Sequence, residues 1–232
     1  ELLTLKQKDD PEAAEVEPWD LKYYGNMLKK ERYAVDLQKV QEYFPLDGVR
    51  DGMFSLYGSL LGIRFEEVNN PDVWSPDVTL YRVINTSDDR LLGHLYLDLF
   101  VRDGKYGSMM EGAFVSGRMA GNGSYIQPVV LIIGDLPAPT ASRPSLLTLS
   151  DVEGLFHEFG HSMHDLLTTA PYGLLSGTSV ELDLSETPSQ AFEEWAWTPE
   201  VIDMISGHYL NRSEKLPADI RDALIASRDS DI

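Results

Sequence analysis

The 232-residue chain contains no cysteine. Disulfides and thiolate-ligated zinc are therefore excluded, and any metal site must use His, Asp or Glu. Basic residues are also scarce. Nineteen Lys and Arg face 38 Asp and Glu, a formal charge of −19. Nucleic acid or an anionic membrane surface would be repelled by such a chain, whereas cations would be attracted. Long apolar runs are missing too: PVVLII at 128–133 is among the longest, far short of a bilayer span. No signal-peptide pattern opens the chain. It begins at Glu1 rather than Met, so the original N-terminus, with any targeting information, is expected to have been lost. Cytoplasmic residence is the expectation, with organellar or periplasmic origin left open.

What is present suits a globular domain. Hydrophobic residues make up 43% and charged residues 25%, enough for one sizeable core, or one core and a satellite. The first 18 residues, polar and holding Pro11 and Pro18, predict an extended lead-in. Helical spacing follows from Trp19 to about Phe44, with Leu21, Tyr24 and Leu28 able to share a face. A second helix is predicted over 47–61, ended by Gly62. The period then changes. VTLYRVI (78–84), LLGHLYLDLF (91–100), GAFVSGRM (112–119) and QPVVLII (127–133) read as strands separated by Asp, Gly and Asn. Their short connections favour an antiparallel or mixed sheet over βαβ units. DLPAPTASRP (135–144) then leads back into helix. The predicted fold class is α+β, mostly helical, with active-site helices beside a small sheet. The chain is expected to form one catalytic-region fragment: 1–75 a mainly helical lead-in, 76–145 the sheet, 146–232 the active-site helices.

The chain has five histidines, and three stand within eight residues, in LFHEFGHSMHD at 155–165. Ser150 followed by Glu153 reads as a capping box that starts a helix near Asp151. On that helix His157 and His161 are i and i+4, so both imidazoles leave the same face one turn apart. Two neutral nitrogens can then bind one ion while Glu158 points close by without being forced to ligate. Gly160 implies close packing or substrate approach. His164, at i+3 from His161, competes as a ligand but fits better as a hydrogen-bonding neighbour. A third ligand from another element would close the tetrahedron. SGTSVELDLSETPSQAFEEWAW (176–197) offers Glu181, Asp183 and Glu186, and spacing alone does not choose among them. Pro188 fits a first helical turn, which would put Glu186 near a helix start. His94 and His208 read as structural.

FHEFGHSMH together with ETPSQ resembles the thimet-oligopeptidase family of zinc peptidases. GHLYLDLFVRDGKYG resembles the family's GxFYLDLYxRxGKxG stretch, and the likeness runs from about Pro18 to Arg228, leaving the pattern at about Asp229. The resemblance implies one Zn2+ per chain on His157, His161 and Glu186, with Glu158 as general base in hydrolysis of short peptides. It makes Glu181 and Asp183 candidates for orienting the imidazoles. It further implies that the chain is the middle third of a larger two-lobed enzyme, lacking the family's oxyanion-stabilising His and Tyr. A weakly active or inactive zinc-binding fragment is thus one rival reading. Another is a metal-free module that captures peptides on a sheet edge. Self-association is expected through surfaces that missing lobes would cover. The edge strand near the metal is expected at Gly112–Val115, where Gly112 and Ala113 would let a peptide backbone approach.

Overall fold

The computed structural model describes residues 1–33 and 35–228; the departure expected at Asp229 lies outside them. In chain order the helices and strands are α1 (Leu2–Asp9), α2 (Leu21–Tyr33), α3 (Leu37–Val40), α4 (Leu46–Leu61), β1 (Ile63–Glu67), β2 (Thr79–Asn85) and β3 (Leu91–Phe100). They continue through β4 (Met110–Val115), β5 (Arg118–Met119), β6 (Tyr125–Ile126), β7 (Val129–Leu136), α5 (Leu149–Leu166), α6 (Leu182–Trp195), α7 (Pro199–Ile205) and α8 (Ala218–Arg228). The fold is α+β and mostly helical, with a small mixed sheet. No helix among the described residues is long and apolar enough to cross a membrane.

The sheet runs β1-β2-β3-β7-β4, antiparallel throughout except for the parallel pair β3 and β7. Alternation along the central strands turns Leu95, Leu97, Val130 and Ile132 to one face, where they enter the main core. Against that face lies α5, which buries Val152, Leu155, Phe156, Phe159 and Met163. Burial of each such side chain contributes about 2 kcal/mol. The position of the HExxH helix is therefore fixed by its core, independently of any metal. The long helix α4 packs behind it through Val49, Met53 and Tyr57, whose hydroxyl donates to Phe156 O at 3.1 Å. It ends at Gly62 in the left-handed conformation.

Several expectations are corrected. The polar lead-in is partly helical: α1 forms because Leu5 packs with Tyr24 and Leu28 in a small separate cluster, and Lys6 pairs with Asp20. Leu21 does not join that face and is exposed. The strand β1 within 1–75 went unread because IRFEE alternates only weakly; pairing with β2 supplies its order. The capping box is Thr148 with Asp151, not Ser150 with Glu153. Thr148 Oγ1 accepts from Asp151 N at 3.1 Å, and the Asp151 carboxylate accepts from Thr148 N at 2.7 Å. Both pairs match the capping pattern, but Glu153 is occupied by Trp197 Nε1 at 2.7 Å and by Arg228. Pro188 stands inside α6, not in its first turn. The helix begins at Leu182, so Glu186 lies a full turn further in than its proline suggested.

Candidate metal centre

The helices α5 and α6 approach closely because residue 160 is glycine. A β-carbon there would sit 2.4 Å from Ser189 Cα and 2.9 Å from Pro188 O, both backbone atoms that cannot swing aside. This contact brings α6 over the histidine face of α5. Glu186 Oε2 then lies 3.4 Å from His157 Nε2 and 3.3 Å from His161 Nε2. Around one ion with bonds of ~2.0–2.1 Å, tetrahedral ligand atoms stand ~3.3–3.4 Å apart. Among the described residues, His157, His161 and Glu186 form the one group of acids and histidines whose ligand atoms converge in this way.

Neighbouring groups orient two of the three, while His161 Nδ1 is buried with no hydrogen-bond partner among the described residues. His157 Nδ1 is 2.9 Å from Glu193 Oε2. A carboxylate only accepts, so Nδ1 carries a hydrogen, and in the neutral ring that a metal requires Nε2 then presents its lone pair toward Glu186. Two acceptors face each other at 3.4 Å, an arrangement that a cation between them makes favourable. Ser189 Oγ, fully buried, donates to Glu186 Oε2 at 2.8 Å and fixes that carboxylate. Burial lowers the His161 imidazole first, with Glu186 opposing and His157 adding to the fall. The neutral ring that a metal requires is thereby favoured.

Glu158 projects beside the set, against β4. Burial raises its carboxyl, His157 and a backbone N–H from Glu111 oppose that rise, and Glu186 adds to it. The strand β4 is the sheet edge, paired with β7 on one side only. Gly112 and Ala113 are exposed on it, and nothing lies within 4 Å of where a β-carbon at Gly112 would be. The edge is open to an added strand.

The remaining predicted residues fall elsewhere. Glu181 is the residue before α6, exposed and making no side-chain cap bond. Asp183 is exposed and accepts from Leu184 N. Among the described residues neither side chain is hydrogen-bonded to an imidazole, and the carboxylate that meets His157 Nδ1 is that of Glu193. Glu193 is seven residues from Glu186, two turns along the same face of α6. His164 stands outside the converging set, its Nδ1 buried without a hydrogen-bond partner among the described residues. It lines a cavity of about 620 Å³ with Leu61, Leu175 and Val180. His94 lies in β3, lowered by burial, and His208 sits 3.5 Å from Glu42 with its ring edge on Tyr43.

A model of peptidase family M3 matches residues 1–231. A thimet-like oligopeptidase of Dictyostelium discoideum is 40% identical over 216 residues, which are 92% of this chain and 32% of that protein. Oligopeptidase A of Escherichia coli (strain K12) is 35% identical over 215 residues, 92% of this chain and 31% of its own. Saccharolysin of Saccharomyces cerevisiae is 35% identical over 217 residues, covering 90% and 30%. The chain spans about a third of the length of these curated relatives.

Proposed function

The chain belongs to peptidase family M3, and from that premise we propose that it carries the catalytic region of an enzyme hydrolysing peptide bonds in short peptides with one zinc ion. The observation that carries this reading is the convergence of three donor atoms, His157 Nε2, His161 Nε2 and Glu186 Oε2, at tetrahedral spacing. The relatives' names, thimet-like oligopeptidase and oligopeptidase A, supply the substrate class.

In this reading His157, His161 and Glu186 hold the metal. Zinc in such a site supplies a Lewis acid that acidifies water and polarises a carbonyl. Glu158 takes the proton from the attacking water at its carboxylate and returns it to the leaving amine. Glu193 and Ser189 keep a ring and a carboxylate aimed, so that neither must reorient during turnover. The open edge of β4 at Gly112 and Ala113 receives the substrate backbone as an added strand, which sets the scissile carbonyl beside Glu158. Segments 1–75, 76–145 and 146–232 serve as one catalytic unit in this account.

The test is turnover of a quenched short peptide by zinc-loaded protein, beside Glu158→Gln. Gln keeps size and removes the base, so the variant should retain zinc and lose at least ~100-fold in kcat. Substantial turnover by metallated Glu158→Gln contradicts the assignment of the base.

A further inference from the structure

Three aromatic rings have no task in that mechanism, and two of them are held in place although half exposed. Alternation along β3 turns Leu95 and Leu97 toward α5, which leaves Tyr96 and Asp98 on the other face of the sheet. Trp74, from the connection between β1 and β2, lies over that outer face. Its Nε1 donates to Asp98 Oδ2 at 2.8 Å. Asp98 is itself fixed by Arg102 at 2.6 Å and Lys105 at 2.9 Å. The indole ring stands 5.3 Å from that of Tyr96 and meets Phe114 of β4 edge-on at 6.0 Å. Phe114 and Tyr96 are 6.3 Å apart. Yet Trp74 is 50% exposed and Phe114 59%.

This wall borders a gap in the edge strand. Gly112 pairs with Leu131 of β7, whose neighbours Val130 and Ile132 face α5, so Gly112 and Leu131 share the outer face. Met110 and Phe114 flank Gly112 at two residues on either side, about 13 Å apart at ~3.3 Å per residue. Met110 is also exposed, and no atom lies within 4 Å of where a β-carbon of Gly112 would be. A peptide added to β4 alternates its side chains as the sheet does. The peptide residue opposite Gly112 therefore points into this gap, while its two neighbours point toward α5.

We propose that Phe114, backed by Trp74, is a specificity-determining residue: with Gly112 it forms a subsite for one large apolar or aromatic side chain of the peptide. Continuity with the β4 edge identifies the occupant, because the strand that pairs with β4 must place every second side chain on this face. Asp98 keeps the indole from turning, so the wall stands ready before the peptide arrives. The subsite rests on the reading of β4 as the strand that receives the substrate backbone.

The experiment walks one Phe or one Ser through each position of short quenched alanine peptides and measures kcat/KM with the zinc-loaded protein. At one position wild type should prefer Phe over Ser by at least ~10-fold, the worth of burying part of such a side chain. Phe114→Ala should bring that ratio close to 1 and leave the ratios at the two adjacent positions as they were. Leu210→Ala, which removes a side chain 76% exposed elsewhere on the surface, should change no ratio. A ratio at every position indifferent to Phe114→Ala overturns the subsite, and so does an equal fall at all positions, which is the mark of a merely structural role. Sedimentation velocity accompanies the assay: a dimer of wild type that is lost in Phe114→Ala gives the face to a second copy of the chain and overturns the subsite as well. A wild type that binds zinc but cleaves none of the peptides overturns the peptidase reading instead. The 15N resonance of the Trp74 indole N–H, assigned by its absence from Trp74→Phe, still decides the subsite: it should shift with the Phe peptide and stay put with the Ser peptide, and equal responses to the two overturn it.

Discussion

Gly160→Ala sets two effects against each other, and their magnitudes decide the sign. Alanine in a helix interior is favoured over glycine by about 1 kcal/mol. At position 160, however, the added β-carbon meets Ser189 Cα at 2.4 Å, Ser189 N at 2.8 Å and Pro188 O at 2.9 Å. Carbon contacts are ordinarily 3.5–4.0 Å, so α5 and α6 must part by about 1 Å. Overpacking of this kind costs about 1–3 kcal/mol, which outweighs the propensity gain. The same displacement carries Glu186 away from both imidazoles, while metal bonds tolerate only about 0.2 Å. Zinc affinity should then fall at least ~10-fold, the scale seen when ligand positioning is lost. Gly154→Ala is the control: on the same helix, its β-carbon would meet only the flexible Met109 side chain, Sδ at 3.5 Å and Cε at 4.0 Å, ordinary contacts. Urea unfolding of the apoprotein and zinc titration against a chromophoric chelator read both quantities. Gly154→Ala should be as stable as wild type or more so, and Gly160→Ala less stable with weaker zinc. A Gly160→Ala protein stabilised by about 1 kcal/mol with wild-type zinc affinity would refute the close-crossing argument.

Two further outcomes are expected. Glu193→Ala should weaken zinc ~10–100-fold by freeing His157 Nδ1, while Asp183→Ala should leave it unchanged; equal effects in the chelator titration would remove Glu193 from its orienting role. Burial would raise the Asp98 carboxyl, but hydrogen bonds from Arg102, Trp74 and Lys105 outweigh it and hold it down to about 2. A depressed carboxyl stabilises the fold above its unfolded value of ~4. About 2 kcal/mol should therefore be lost as pH falls from 4 toward 2. Asp98→Asn should cost ~3–5 kcal/mol in urea at pH 7 because Lys105 is left buried without its counter-charge, and should flatten that acid limb.

Geometry within a single helix was legible in the sequence, and contacts assembled across elements were not. HExxH could be placed because i, i+4 geometry is a property of one helix, and Glu186 because its local order matches a family pattern. Glu193 needed only the seven-residue spacing from Glu186, a signal that was present once α6 was known to run past Pro188. The aromatic wall beside Gly112 offered no such signal. Trp74, Tyr96 and Phe114 lie in three separate segments, and only the sheet order that makes β4 an edge brings their rings together. The capping box was misplaced for a different reason. Thr148–Asp151 and Ser150–Glu153 are equivalent as patterns, and tertiary partners on Glu153 break the tie. Likewise α1 has little apolar periodicity of its own, and its helix depends on packing with Tyr24 and Leu28.

The central claim is that His157, His161 and Glu186 hold one zinc ion at the face of α5, beside Glu158. Anomalous diffraction collected at the zinc edge from zinc-soaked crystals tests it most directly. The account predicts a single strong peak within ~2.0–2.2 Å of His157 Nε2, His161 Nε2 and a Glu186 carboxylate oxygen. No peak there, or a peak coordinated by His164 or Asp183 in place of Glu186, would contradict it.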